Sequence, residues 1–576
     1  MDAGEILLNQ ELLDSDQLLQ LREKDVEGVA LVDAAVTLGF VKEEQALRAL
    51  ASESGLEFVD LRDTEVDLSL LENFPTRLIH REMLFPLSQD NGTLVVATSN
   101  PFDLYPIDEA GAATGLAVIP VLAARREIDI LVKKHLGVGS ETIDNLIEQR
   151  SDGDEVELLG DIETDGSELS EMAQEASVIR LVNEILLEAI EVRASDVHIE
   201  SQSKGIVIRY RIDGLLHPQP VPPEISQFQA AIISRLKIMA RLNIAEKRLP
   251  QDGRIQLKVK GREVDVRVSV IPMIHGESMV LRLLDKSAMK FDLRNLGMEQ
   301  ETYEAYSELI RIPHGIVLVC GPTGSGKTTT LYSSLLEINS PENKIITTED
   351  PVEYQLDGIN QIQVHTRIGL TFGHTLRSIL RHDPDVVLVG EIRDLETAEN
   401  AIQASLTGHL VFSTLHTNDA AGAYPRMTDM GTEPFLVAST VEAVMAQRLI
   451  RRLCLHCRNE VKASSLDLPN DFPMAALDGR PIYEPVGCRE CRQVGYSGRM
   501  GIYELMVTTD EVRQLAHDRA STWQLKKAAL ANGMATLRDD GWKKVMAGKT
   551  SVDEVLRITK GDRMLHAERS LQTAGS

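Results

Sequence analysis

The sequence predicts an α/β protein whose last half is a parallel sheet with crossover helices. A mostly antiparallel α+β domain and a smaller N-terminal α/β domain precede it. Three observations predict this. Short apolar runs at 316–320, 344–348, 386–389 and 410–415 alternate with helical patterns, as in βαβ units. Runs of strand character at 197–200, 206–211, 254–259, 264–271 and 278–284 lie together, with helical stretches only at 176–193 and 227–242. A glycine-rich segment joins the run 316–320 directly to a helical pattern.

The chain has 576 residues, enough for three or four domains. It carries 60 Lys and Arg against 88 Asp and Glu, a net charge of −28. A balance this acidic makes the chain a poor candidate for wrapping around nucleic acid, which needs clustered cations to neutralise phosphates, and leaves room only for a local basic patch. No run approaches the roughly 18 apolar residues of a membrane helix. Residues 1–8 carry acids and no Lys or Arg, so they do not read as a secretory signal. Five cysteines are too few for a disulfide scaffold, and the chemistry fits a reducing, cytoplasmic compartment.

Residues 1–136 form the first predicted domain. Leu7, Leu8, Leu12, Leu13, Leu18, Leu19 and Leu21 fit a short helical hairpin, and residues 93–97 a buried strand. Residues 137–171 are rich in Asp, Glu, Gly and Ser with Arg150 as the only basic residue, so a flexible acidic linker is expected. A solvated helix over 142–149 is the alternative for that piece. The α+β domain spans 172–290 and the parallel-sheet domain 291–576. A cysteine-bearing module is inserted at 452–494, followed by mostly helical sequence.

Gly321-Pro322-Thr323-Gly324-Ser325-Gly326-Lys327-Thr328 fits G-x-x-x-x-G-K-T between a strand and a helix, the context of a phosphate-binding loop. Glycines let backbone N–H groups turn inward, and the helix N-terminus adds partial positive charge. Lys327 is expected on the β- and γ-phosphates of a nucleoside triphosphate, the Thr328 hydroxyl on Mg²⁺, and Thr329 beside them. The loop alone does not separate kinase, GTPase, helicase or motor.

The run 386–389 ends in Gly390-Glu391, where an aspartate is usual, at the tip of a strand expected beside the loop. Glu391 is metal partner, base, or both. Glu349, Asp350 and Glu353 follow the run 344–348 and so fall at the carboxyl edge of the sheet, where ligands bind in such folds. His409 and His416 bracket the run 410–415, and His416, at its carboxyl end, is placed to sense the γ-phosphate. Cys454 and Cys457, answered by Cys488 and Cys491, predict a closed, structural four-sulfur zinc site. Redox chemistry and free thiols are the alternatives, and His456 is expected to be a bystander. Cys320, ahead of the loop, is expected to be a small buried hydrophobe.

With these motifs, the chain resembles the secretion and pilus traffic ATPases, most closely the type II secretion ATPases. The resemblance runs from about residue 176 to the C-terminus. It includes the phosphate loop, the acidic segment, Val389-Gly390-Glu391, the His409/His416 segment and the tetracysteine module. It also includes Ala194-Ser195-Asp196-Val197-His198-Ile199-Glu200 and Arg248-Leu249-Pro250-Gln251-Asp252-Gly253-Arg254. It implies a PAS-like second domain, a RecA-like third domain, ATP between the two, and a homo-hexameric ring at the cytoplasmic face of the inner membrane. Association with the membrane would run through partners, a platform protein and the cytoplasmic domain of a bitopic membrane protein.

By the same resemblance, Glu353 activates the attacking water, Glu391 is the magnesium-linked acid, and Arg267 and Arg282 bring positive charge to the phosphates. The sequence independently places Asp265, Arg267 and Ser269 opposite the alternating valines of 264–270. The first segment resembles the family's first domain, relatives of which bind cyclic di-GMP through a repeated Arg-Leu-Gly motif. Here Ala3-Gly4-Glu5-Ile6-Leu7-Leu8 lacks the Arg-Leu start and Glu11 stands where a second glycine is expected, although Leu38-Gly39-Phe40-Val41 keeps part of the pattern. Docking to a partner is therefore expected instead. A pilus extension motor is the alternative within the family.

Overall fold

In the computed structural model the described residues are 3–22, 29–61, 64, 66–72, 74–90, 92–136, 156–158, 176–285 and 291–559. The chain divides into two compact units, Met1–Ser287 and Ala288–Ser576.

The first unit begins with short helices, among them Ala3–Asn9, Ser15–Arg22 and Glu43–Ser54, whose leucines and alanines share a core. A four-stranded sheet follows: β1 (Glu57–Phe58), β2 (Phe85–Asp90), β3 (Thr93–Thr98) and β4 (Ala117–Leu122), in the order β1-β4-β3-β2. The helical hairpin and the strand at 93–97 are where the sequence places them.

Most of the acidic stretch 137–171 lies outside the described residues, including the alternative helix at 142–149. Val156–Leu158, however, forms β5, pairing antiparallel with β9 (Gln251–Val259). Val156 and Leu158 flank Glu157, the apolar-polar alternation that suits a sheet edge. The sheet continues with β6 (Asp196–Gln202), β7 (Gly205–Ile212), β8 (Leu215–Pro218), β10 (Arg262–Met273) and β11 (Gly276–Asp285). Its order is β5-β9-β10-β11-β6-β7-β8, antiparallel at every pairing. Alternate residues, among them Val264, Val266, Val268 and Val270, pack on helices Ala176–Glu191 and Gln229–Met239. The other face carries the charges, as period-two side-chain alternation requires.

The second unit is built on β12 (Gly315–Cys320), β13 (Ile345–Glu349), β14 (Asn360–Gln363), β15 (Val386–Val389), β16 (Leu410–Leu415), β17 (Val441–Leu453) and β20 (Tyr496–Val507). The order is β14-β13-β15-β16-β12-β17-β20. All pairings are parallel except β17 with β20. β16 therefore sits between β12 and β15, so Glu391 ends the second strand from the phosphate loop and not the adjacent one. β17 and β20 were not legible as strands: β17 falls between the last predicted strand run, 410–415, and the cysteine module, and β20 in the stretch after the module that reads as mostly helical. Polar Glu504 and the glycines Gly498 and Gly501 interrupt the pattern of β20. The pair β18 (Asn459–Val461) and β19 (Ile482–Glu484) forms a small hairpin in the insertion between β17 and β20. Helices Asp510–His517, Thr522–Ala531, Leu537–Met546 and Val552–Ile558 close the unit.

Candidate active site and metal centre

β12 is buried along its whole length and delivers the chain to the carboxyl edge of the sheet. There the backbone turns through Gly321–Gly326 into helix Lys327–Ile338. Gly321 and Gly326 have φ of +152° and +89°. A Cβ on Gly321 would lie 2.6 Å from Ser325 Oγ and 2.7 Å from the Gln447 carbonyl, and one on Gly326 2.9 Å from Gln447 Nε2. Only glycine fits at these two positions, and the loop leads straight into a helix N-terminus, a setting that suits a polyphosphate. Ser325 Oγ is buried without a hydrogen-bond partner. Such an orphan inside the loop fits a polar ligand.

Pro322, Thr323 and Gly324 are exposed at the loop's rim, as is Thr328 on the first turn of the helix, while Thr329 is half-buried. Lys327 Nζ donates to the carbonyls of Gly321 at 2.7 Å and Pro322 at 3.1 Å. Burial lowers its pKa; Arg448 pushes the same way and Glu391 opposes them. Sequence reading missed Gln447 on β17, which braces the loop and accepts a hydrogen bond from the Thr330 hydroxyl at 2.8 Å. The available signal was a polar residue inside an apolar run.

The acids take different places. Glu349 is buried, and its carboxylate accepts from the hydroxyls of Tyr332 and Thr347 and from Gln361 Nε2. It ties the acidic segment to the helix that follows the loop, because Tyr332 belongs to that helix. The backbone N–H of Glu353 also donates to the Tyr332 hydroxyl, at 3.4 Å. Burial, followed by the nearby Glu349 charge, raises the Tyr332 pKa, so the phenol stays a donor. Glu353 itself is half-buried. The structure thus gives Glu349 a bracing task and leaves Glu353 the more accessible of the two.

Glu391 lies between Arg393 and His416 of the same edge: Oε2 is 2.6 Å from Arg393 Nε and 3.4 Å from His416 Nε2. The two motifs that the sequence separates by 25 positions therefore meet. His409, by contrast, is spent at the other end of β16, where Nδ1 bonds the Ala404 carbonyl at 2.9 Å. Cys320 is fully buried, and burial pushes its thiol up to about 12, consistent with an inert small hydrophobe.

Arg267 and Arg282 stand on the antiparallel sheet of the first unit, on the face opposite its core. They are direct cross-strand partners, and Arg254 pairs with Arg267 in turn. Asp196 and Arg211 extend the row across β6 and β7. Arg282 Nε donates to Asp196 Oδ1 at 3.1 Å, and Arg254 pairs with Asp265. Adjacent like charges are unfavourable unless something compensates them, and Asp196 and Asp265 do so for Arg282 and Arg254.

The four cysteines converge. Cys454 Sγ lies 3.8 Å from Cys488 Sγ, Cys457 Sγ 3.7 Å from Cys491 Sγ, and Cys488 Sγ 3.7 Å from Cys491 Sγ. All four lie within 4.8 Å of one another. A tetrahedron with Zn–S bonds of about 2.3 Å has sulfur–sulfur edges of about 3.8 Å. Backbone N–H groups of Gly487, Cys488 and Gly495 donate to the sulfurs of Cys457, Cys491 and Cys491 at 3.3, 3.1 and 3.1 Å, which stabilises thiolates. The donor set fits zinc, and four protein sulfurs leave no open position.

Comparison with known proteins bears on these features. The family model described as "Type II/IV secretion system protein" matches residues 171–557, and the "MshEN domain" model matches residues 54–142. Type II secretion system protein E of Xanthomonas campestris pv. campestris is 43% identical over 96% of this chain and 98% of its own length. Type IV pilus assembly ATPase PilB of Myxococcus xanthus is 40% identical over 97% of this chain and 99% of its own. Type II secretion system ATPase E of Vibrio cholerae is 48% identical over 72% of this chain and 84% of its own. The phosphate loop, the acids on its sheet edge and the four-cysteine module thus occur in a chain that belongs to the type II/IV secretion system protein family and is an ATPase of its protein E branch.

Proposed function

We propose that this chain is the ATP-hydrolysing motor of a type II secretion system, working at the cytoplasmic face of the inner membrane. It would drive pseudopilus assembly, and so protein export, through a membrane platform protein. The observation that carries this reading is the sheet edge where Glu391 and His416 meet beside a glycine-built loop that bears Lys327, within a chain alignable along nearly its whole length to a type II secretion protein E. No helix among the described residues is long and apolar enough to cross a membrane. Attachment would run through partners: the platform protein, and the cytoplasmic domain of a bitopic membrane protein docked on the N-terminal domain.

In this reading the loop 321–326 and Thr328 and Thr329 hold the triphosphate, and Lys327 neutralises its terminal phosphates. Thr328, with Glu391 behind it, would hold a magnesium ion, which would supply charge compensation on the phosphate oxygens. Glu353 takes a proton from the attacking water, and His416 senses the γ-phosphate from the end of β16. Arg267 and Arg282, of a PAS-like second domain, would add positive charge to the phosphates, and a homo-hexameric ring of RecA-like third domains would transmit the work. Zinc in the tetracysteine site folds the inserted module and takes no part in hydrolysis.

The 40% identity to a type IV pilus assembly ATPase supports a second reading, extension of a pilus. Deleting the gene and assaying both outputs separates the two. Loss of extracellular enzymes with pili intact supports secretion, and loss of surface pili with export intact overturns it. Genes for pseudopilins, a secretin and a platform protein beside this one would point the same way as the first result.

A further inference from the structure

The residues that follow β16 are held by charges brought from much later in the chain. Glu504, on β20, is fully buried. Its Oε1 accepts the backbone N–H of Ala420 at 2.9 Å, and Oε2 accepts that of Leu537 at 3.4 Å. Lys526, on helix Thr522–Ala531, has a side chain only 4% exposed, and its Nζ lies 3.6 Å from both Glu504 Oε2 and Asp419 Oδ2. Asp419 in turn accepts the Gly422 N–H at 3.0 Å, and its carbonyl accepts the Thr417 hydroxyl at 2.8 Å. The segment 416–420 is thus pinned from below through Thr417, Asp419 and Ala420. His416, the first residue of that segment, is half-exposed and reaches Glu391.

A buried lysine–glutamate pair is no better for stability than a well-packed apolar pair of the same volume, because both charges must be stripped of water. Its use here is explained by geometry: an ion pair with a backbone N–H acceptor fixes where a loop sits, and apolar packing does not. We propose that Lys526 and Glu504 are positioning residues for ATP hydrolysis, holding segment 416–420 so that His416 stays against Glu391. The helices after the zinc module are then part of the catalytic apparatus, although they hold none of its motifs. The proposal rests on the reading of His416 as a group that faces the γ-phosphate.

The test uses the full-length chain in a double-mutant cycle, with kcat and KM for magnesium ATP and the thermal midpoint of each variant. Lys526→Met keeps the stem and removes the charge. It is expected to lower kcat about 10- to 100-fold with KM within about threefold, since placement in the transition state is lost and ground-state binding is not. Lys526→Arg should recover most of the rate. In a His416→Ala background, Lys526→Met should cost nothing further, because residues acting through one group are not additive. A wild-type kcat for folded Lys526→Met, or losses that multiply in the double variant, overturns the proposal while leaving His416 in place. Wild-type turnover by His416→Ala overturns both readings. Should Lys526→Met fail to fold, Glu504→Gln, which keeps the shape but removes the charge that holds Lys526 beside Asp419, serves in the same cycle with the same outcomes.

Discussion

The ammonium of Lys327 rests on the carbonyls of Gly321 and Pro322, neutral acceptors that a phosphate outcompetes because a charged acceptor makes the stronger bond. Lys327→Ala is expected to abolish measurable phosphate release and to weaken nucleotide binding as well. Glu391→Gln is a different experiment. The amide keeps the shape but removes the negative charge that Arg393 and His416 both approach. It should bind a fluorescent ATP analogue near normally while kcat falls about 100-fold or more. Near-normal turnover by either variant would remove that residue from the catalytic set. Glu349 and Glu353 show why spacing alone misleads at this scale. Both sit in one acidic segment, yet burial and three donors engage the first in structure, and only the fold distinguishes them.

β17 and β20 are the elements that tie the phosphate loop to the cysteine module. β17 lies beside β12 at Ile316–Cys320 and runs on to Leu453, one residue before the first zinc ligand. Cys488→Ser should lose zinc by metal analysis and unfold the inserted module, since a structural site supplies much of a small module's folding free energy. ATP hydrolysis should survive in part, because strands β12 to β16 do not pass through the module; zinc retained by that variant would discard the site. Farther along, Glu554 on helix Val552–Ile558 grips Arg451 of β17, taking its backbone N–H at 3.0 Å and its guanidinium at 2.8 Å. Burial pushes the Glu554 carboxyl up, but hydrogen bonds from Arg557 and Arg451 outweigh it and hold it to about 2, below its ordinary 4.5. A depressed carboxylate stabilises the fold above its unfolded value and loses that contribution as pH falls from about 4.5 to about 2. Glu554→Gln should therefore be less stable than the parent at pH 7 and show a flatter loss of thermal midpoint across that acid window. An unchanged acid limb would show that the carboxylate contributes nothing there.

At the scale of the whole molecule, the question is whether the first unit takes part in chemistry performed on the second. Arg254, Arg267 and Arg282 align across three strands on the sheet face opposite the core, where Asp265 pairs with Arg254 and Asp196 with Arg282. Arg267→Ala or Arg282→Ala is expected to lower kcat more than nucleotide affinity, because charge on the γ-phosphate grows toward the transition state. If either variant changed only affinity, or nothing, that arginine would be an ordinary surface residue. A fragment beginning at residue 291 keeps the compact second unit and loses all three arginines. It should bind ATP and turn it over very slowly; full activity from it would show that the first unit is dispensable for hydrolysis.

By itself the sequence predicted the parallel-sheet domain, the antiparallel domain before it, the glycine-rich loop between strand and helix, and the four cysteines that the fold gathers within 4.8 Å. These rest on local rules: apolar runs of strand length, glycines where a loop must bend around phosphates, and cysteine pairs spaced for one knuckle each. It could not determine strand order. The placement of β16 between β12 and β15, which carries His416 to Glu391, depends on crossovers that local patterns do not record. The tertiary structure alone decided that Val156–Leu158 forms an edge strand, that Gln447 braces the loop, and that Glu504 and Lys526 meet Asp419 and Ala420. The physical reason is common to all of them. Each depends on contacts between residues far apart in the chain, and sequence periodicity reports which face of an element is buried but not what it is buried against.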